Sequence, residues 1–226
     1  STVTTGLMES RLPAKAVAAL IRPVLEQIQR NYVNLPGQTA FTGSPEGQRL
    51  TEQMEVTQAK HCMGFVTPIT NRHEEFAVMQ VFNTIFGAGM TSKLFMNVRE
   101  RLSLCYSIGS GYYSTKGILT VSAGIDTAKE ETVRQEILAQ LKSCEKGEIS
   151  EAELNAAKEA ILSSLRSVHD SPGAIEGYYS TAVLSGLAMT PAKYMEAVEA
   201  VTAEMCVECA NKMELHSTYF LKGGSQ

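Results

Sequence analysis

The chain contains no tryptophan, four histidines and five cysteines in 226 residues. No apolar stretch reaches the roughly 18–20 residues that a membrane span requires. Ser1 to Thr5 carry neither the charged nor the apolar region of a signal peptide. The chain opens on Ser1 rather than Met, as a trimmed product or an excised domain would. The five cysteines, Cys62, Cys105, Cys144, Cys206 and Cys209, are odd in number and scattered, so a disulfide framework is not expected. Reduced thiols point to a cytoplasmic home. A net charge of -4, with no basic cluster interleaved with aromatics, excludes a nucleic-acid surface as the main function.

Recognisable catalytic arrangements are also missing. None of His61, His73, His169 and His216 has a second histidine four residues away, the spacing that puts two imidazoles on one helical face. Neither HExxH nor HxxEH occurs. His73-Glu74-Glu75 reads instead as a helix start, whose carboxylates suit the positive end of the helix dipole. Cys206-x-x-Cys209 offers two ligands where a closed tetrahedral site needs four, so both read as small core residues. There is no G-x-S-x-G elbow, and Cys105 alternates within a strand-like run that buries it. Gly87-Ala88-Gly89 lacks the Gly-Lys-Ser/Thr of a phosphate loop. No metal or cofactor is therefore expected in this chain.

What is present is ample for a packed core: 44% of residues are hydrophobic and 19% charged. A short strand is predicted over Thr2 to Met8. A helix follows from Pro13, with Val17, Leu20, Ile21, Val24, Leu25 and Ile28 along one face and a kink or break expected at Pro23. Residues 34–50 are dense in turn formers and read as a connector. Met54, Val56, Cys62, Gly64 and Val66 alternate as one long strand or two with one face buried. His73 to Phe86 and Thr91 to Leu102 read as helices separated by the Gly87-Ala88-Gly89 stop. Leu104 to Ser114 and Ile118 to Ile125 read as a hairpin turning on Thr115-Lys116-Gly117. Thr127-x-x-Glu130 and Ser150-x-x-Glu153 have the form of capping boxes. Ser171-Pro172 and Thr190-Pro191 each start a further helix. A short helix over Thr202 to Met213 and a terminal strand over Leu215 to Leu221 complete the order, before a Gly223-Gly224 tail. The expected class is α+β: an antiparallel sheet covered on one face by helices, in a single domain over residues 1–226.

One stretch is far more specific than any motif above. Gly87 to Ser107 runs GAGMTSKLFMNVRERLSLCYS. It resembles the signature of the C-terminal halves of pitrilysin/insulinase-family zinc metallopeptidases, in which a Gly-rich turn leads to S-[RK]-L-F-x-x-[LV]-R-E-[KR]-x-x-L-x-Y. Asn83 before it, the Lys116-Gly117 hairpin, Ser122-x-Gly124-Ile125-Asp126, Asp170-Ser171-Pro172 and the terminal Thr218-Tyr219-Phe220-Leu221-Lys222-Gly223 fall in the same order. The pattern is most similar to the inactive-type homologues of Gram-positive bacteria named for association with modification of translation elongation factor P. The match extends over about residues 50–222 and departs from the pattern at Ser103, where glycine is usual.

The resemblance implies half of a clamshell, with a sheet of about six strands per half and a peptide chamber between the halves. It implies that zinc, if held anywhere, is held by an N-terminal-type partner half. This half would contribute Arg99 and Tyr106 to hold an extended peptide, with Gly87, Gly89 and Ser92 read as part of the same substrate-binding segment. A guanidinium fork suits carbonyl or carboxylate oxygens, and a phenol can donate to a developing oxyanion. The plainer reading is that Arg99 pairs with a surface acid and Tyr106 is a half-buried strand aromatic. The expected partners are a homologous half or zinc-bearing subunit and an extended peptide, with self-association through an exposed apolar face. A structural scaffold subunit that touches no peptide is the alternative.

Overall fold

The structure, a computed structural model, describes residues 13–29 and 47–223. The predicted strand over Thr2 to Met8 and most of the 34–50 connector lie outside the described residues. Helix α1 spans Ala14–Glu26 and runs unbroken through Pro23, so the expected break is absent. Proline there lacks the amide that would donate to the Ala19 carbonyl and crowds that carbonyl, yet the helix continues past it.

The sheet is built from β1 (Arg49–Met54), β2 (Ala59–Val66), β3 (Cys105–Tyr113), β4 (Ile118–Ile125) and β5 (Glu214–Gly223). Its order is β1-β5-β2-β4-β3. Five strands among the described residues replace the six expected, and the sheet is mixed: β1 runs parallel to β5, while every other pair is antiparallel. Strands β1 and β2 are joined by the short 55–58 turn and run in opposite directions, so β5, inserted between them, must be parallel to one of the two.

Which face of β2 is buried also differs from the expected set. Ala59, His61, Met63 and Phe65 are buried, whereas Cys62, Gly64 and Val66 are half-buried on the other face. Both sets alternate, and the larger side chains of Met63 and Phe65 decide the matter because they bury more area. Leu119, Val121, Ala123 and Ile125 of β4 and Phe220 of β5 join them. The opposite face carries Gly64, Thr120, Ser122, Gly109 and Gly111 in neighbouring registers, which are small and leave the surface low.

The helices cover only the first face. Helix α2 (Phe76–Phe86) is apolar on nearly all sides, burying Met79, Val81, Phe82 and Ile85. It starts three residues later than expected, because His73 is spent in the preceding turn: its Nδ1 takes the amide hydrogen of Thr70 at 3.0 Å. Helix α3 (Glu130–Glu145) is preceded by a single 3₁₀ turn, Thr127–Lys129. Asp126, not Thr127, caps that turn, accepting from the Ala128 amide at 2.9 Å. A carboxylate one residue earlier reaches the turn, and the expected Thr127 box does not form. Helix α4 (Glu151–Arg166) does carry its predicted box: Ser150 accepts from the Glu153 amide, and the Glu153 carboxylate accepts from the Ser150 amide at 2.8 Å. Helices α5 (Pro172–Ser185), α6 (Pro191–Glu199) and α7 (Ala203–Asn211) start on Ser171, Thr190 and Thr202, whose hydroxyls accept from amides three residues on.

Two features join this frame to the segment of interest. Lys93 is 7% exposed, and its ammonium lies 2.8 Å from Glu153, so the carboxylate that caps α4 also neutralises a buried cation. Burial pushes the Glu153 carboxyl up, but the Lys93 cation and the Ser150 amide and hydroxyl together hold it below its ordinary range. Ser103 has φ +50°, the sole non-glycine residue at positive φ among the described residues.

Two outcomes follow. Glu153→Ala strands the Lys93 charge and should lower the unfolding free energy by about 3 kcal/mol, whereas pairing Glu153→Leu with Lys93→Met recovers much of the loss; urea unfolding of the three forms measures both. Ser103→Gly removes a left-handed strain of about 1–2 kcal/mol and adds roughly 0.5–1 kcal/mol of unfolded-state entropy, so the variant should unfold at a higher urea midpoint.

Candidate functional site

Leu94 to Arg101 winds as a π-helix rather than the expected α-helix. The Leu102 amide donates to the Asn97 carbonyl five residues back at 3.1 Å, and the Leu104 amide to the Val98 carbonyl at 3.0 Å. Leu94 and Val98 sink fully into the core, and the Asn97 amide group donates to Gln140 of α3 at 2.7 Å. These anchors fix the inner side of the wide turn. Arg99 is left on the outer side, with its guanidinium carbon 4.7 Å from the centre of the Phe95 ring and 3.6 Å between its nitrogen and Glu100. Such stacking holds a fork in plane while its edge faces outward.

The chain then turns at Ser103 and enters β3 through a bulge. Cys105 pairs with Ile125 and Ser107 with Gly124, so Tyr106 is the extra residue between them. Bulges re-aim a side chain, and Tyr106 stands 63% exposed at the start of an edge strand. Gly124 is needed opposite: a Cβ there would come within 2.8 Å of the Ser107 hydroxyl.

Arg99 and Tyr106 thereby open onto one cavity of ≈ 430 Å³, which they share with Glu100, Asp126 and Lys129. Lys129 Nζ donates to the Ser103 carbonyl at 3.2 Å and so braces the turn between them. Cys105 also borders the cavity, but burial pushes its thiol up, and the nearby Arg99 and Lys129 charges only partly offset this. A protonated thiol is a poor nucleophile. The site thus offers a cationic fork, an ammonium and a phenol, with the Glu100 and Asp126 carboxylates, beside a strand that has no outer neighbour among the described residues. It suits holding an extended backbone and its carbonyl oxygens.

The other segment residues serve the local frame and do not line this cavity. Gly87 is buried, and a Cβ there would lie 2.7 Å from both Leu94 and Ser110. Ser92 is 1% exposed; its hydroxyl donates to the Gly89 carbonyl at 2.6 Å and accepts from the Phe95 amide at 3.3 Å. Gly89 has open space around it. Asp126 and Lys129 were not named as site residues from the sequence, although Asp126 closes the Ser122-x-Gly124-Ile125-Asp126 landmark.

No group of three His, Cys, Asp or Glu side chains capable of holding a metal ion occurs among the described residues. Cys206 and Cys209 are buried, and burial pushes both thiols up to about 12. A second, larger hollow of ≈ 600 Å³ lies on the helical side, between the start of α2 and α7. It is bordered by His73, Glu75 and Lys212, and its Lys212–Glu75 pair is 3.4 Å apart.

Residues 10–161 match the sequence family described as the peptidase M16 inactive domain. The Bacillus subtilis protein YmfF, described as a probable inactive metalloprotease, is 30% identical over 176 residues, which is 78% of this chain and 41% of that protein. YmxG of the same organism, described as an uncharacterized zinc protease, is 32% identical over 120 residues, 52% of this chain and 29% of that protein. Among solved structures, a conserved protein from Enterococcus faecalis superposes with a TM-score of 0.82 at 28% identity, over 92% of this chain and 50% of that one. A peptidase M16 inactive domain from Pseudomonas fluorescens shares the fold with a TM-score of 0.74 at 18% identity, over 96% of this chain and 52% of the other. The chain therefore spans half or less of the length of the YmfF, YmxG and Enterococcus relatives. With the Arg99–Tyr106 segment inside the matched residues, the chain belongs to the peptidase M16 family, as one of its inactive, C-terminal-type domains.

Proposed function

We propose that this chain is the non-catalytic half of a divided peptide site, pairing with a homologous or zinc-bearing half and holding an extended peptide between them. The observation that carries the reading is the convergence of Arg99 and Tyr106 on one cavity, produced by a π-helix and a β-bulge. A π-helix that ends at Arg101 and a bulge at Tyr106, within one short segment, are costly unless they position something. Strand β3, which has no outer neighbour among the described residues, leads away from that cavity, and its outward backbone groups suit strand addition by a peptide. Zinc, where present, belongs to the partner half in this reading. There it would supply the Lewis acid, while Arg99 and Tyr106 orient the peptide and donate to its carbonyl oxygen.

Pairing is supported by the low, small-residue face of the sheet and by Leu50 and Met54 of β1 and Tyr113 of β3, all more than half exposed. A second copy of this chain is the other occupant of that face that the same reading allows. A cytoplasmic location belongs to the proposal too, supported by five cysteines that are all unpaired. No helix among the described residues is long and apolar enough to cross a membrane. The scaffold alternative is favoured by one observation, that the relative YmfF is itself described as inactive.

The two readings separate on the cavity residues. The purified chain is mixed with a zinc-bearing homologous half, and complex formation and cleavage of an unstructured peptide are followed together. Arg99→Ala and Tyr106→Phe should leave the complex intact yet each lower cleavage by roughly 10²-fold, the scale of losing one oxyanion donor. Unchanged cleavage in both variants would establish the scaffold role, and no complex at all would refute the pairing.

A further inference from the structure

His61 is fully buried in the middle of β2, and neither ring nitrogen has a hydrogen-bond partner. A buried imidazole without a partner costs free energy that a phenylalanine or leucine would not. Its surroundings are nonetheless charged. From α3, Glu130 brings a carboxylate oxygen to 3.8 Å from Nδ1, with Glu131 and Arg134 close by. From β1 comes Arg49, and β5 contributes the Phe220 ring at 6.1 Å.

The same Glu130 oxygen that faces His61 is already in use. It accepts from Arg49 at 2.8 Å, and Arg49 reaches Glu131 at 3.0 Å with the same nitrogen. Arg49 is the first residue of β1, the outermost strand on that side among the described residues, in which every residue is exposed. Beyond its backbone ladder to β5, that strand is tied by Arg49 on the helical face and by the Tyr219–Glu52 hydrogen bond on the other. One carboxylate oxygen thus stands between a strand's anchor and a buried base that lacks a partner.

We infer that His61, Glu130 and Arg49 form an acid-sensitive latch that fastens edge strand β1 to α3. At neutral pH the imidazole is uncharged and Glu130 serves Arg49. A proton taken from solvent turns His61 into a cation that competes for Glu130 and repels both Arg49 and Arg134. The anchor then loosens, and β1, which follows the connector from the preceding part of the chain, becomes the first strand to open.

The direction with pH follows from burial. Desolvation holds the imidazole below its ordinary value of 6.5, and the pull of Glu130 offsets this only in part. The unfolded chain therefore takes up the proton first. The stabilisation is complete above pH 6.5 and is lost as the pH falls below it toward the folded value.

Hydrogen exchange of the Leu50–Met54 amides at about pH 7.5 and about pH 5, corrected for intrinsic rates, tests the latch. In the unmodified chain these amides should lose roughly tenfold more protection on acidification than those of β4. His61→Phe should abolish that difference, and Arg49→Gln should show weak β1 protection at both pH values. NMR titration of the His61 ring in the unmodified chain gives a second test that needs no variant. Protonation of His61 must coincide with β1 opening. Equal protection of β1 at both pH values, persistence of the acid effect in a folded His61→Phe chain, or opening while His61 is still neutral would overturn the inference.

Discussion

Among the described residues the sheet is buried on one side only, and the remaining features of the molecule depend on that. Met63, Phe65, Leu119 and Val121, each 0–1% exposed, bind the sheet to α2 and α3 through apolar contact. Because strand side chains alternate, each of these residues commits its neighbours to the opposite face. Those neighbours include Gly64, Thr120 and Ser122, which build a shallow surface rather than a second core. A half-covered sheet is stable here because the apolar α2, with Val133 and Ile137 of α3, closes one continuous core over the covered side. In the proposed reading, the open side is the surface that a partner half would meet.

Against this regular frame, the Arg99–Tyr106 segment departs from ideal geometry three times: a π-helix, a left-handed Ser103 and a β-bulge. Each would be expected to relax if the surroundings allowed it. They do not, because Leu94 and Val98 are locked in the core, Lys93 is neutralised by Glu153, and Asn97 is bonded to Gln140. The covered face therefore holds the irregular segment in place, and the segment delivers Arg99 and Tyr106 to the same cavity.

Much of this was legible in the sequence, and what was not has identifiable reasons. Helix starts at Ser150, Ser171, Thr190 and Thr202 were readable because capping is local chemistry within four residues. The β3–β4 hairpin was readable from Gly117, whose φ of +65° and 2.4 Å approach of a would-be Cβ to the Thr67 carbonyl require glycine. The buried face of β2 was misread because two alternating sets compete there and only tertiary packing chooses between them. The parallel β1–β5 pairing joins residues far apart in the chain and leaves no local trace. Among the site residues, Arg99 and Tyr106 were found through family resemblance; the π-turn and bulge that bring them together have no sequence signal of their own. Lys129 escaped because its role, bracing the Ser103 carbonyl, exists only after the turn has formed.

The central claim is that Arg99 and Tyr106 face into a site completed by another half. It is tested most directly by adding the zinc-bearing homologous half loaded with paramagnetic cobalt and recording NMR spectra of this chain. The account predicts that the Arg99 guanidinium and Tyr106 ring signals broaden first and that Tyr178, on the helical side, is spared. Binding that leaves the Arg99 and Tyr106 signals sharp, or that broadens Tyr178 ahead of them, would contradict it.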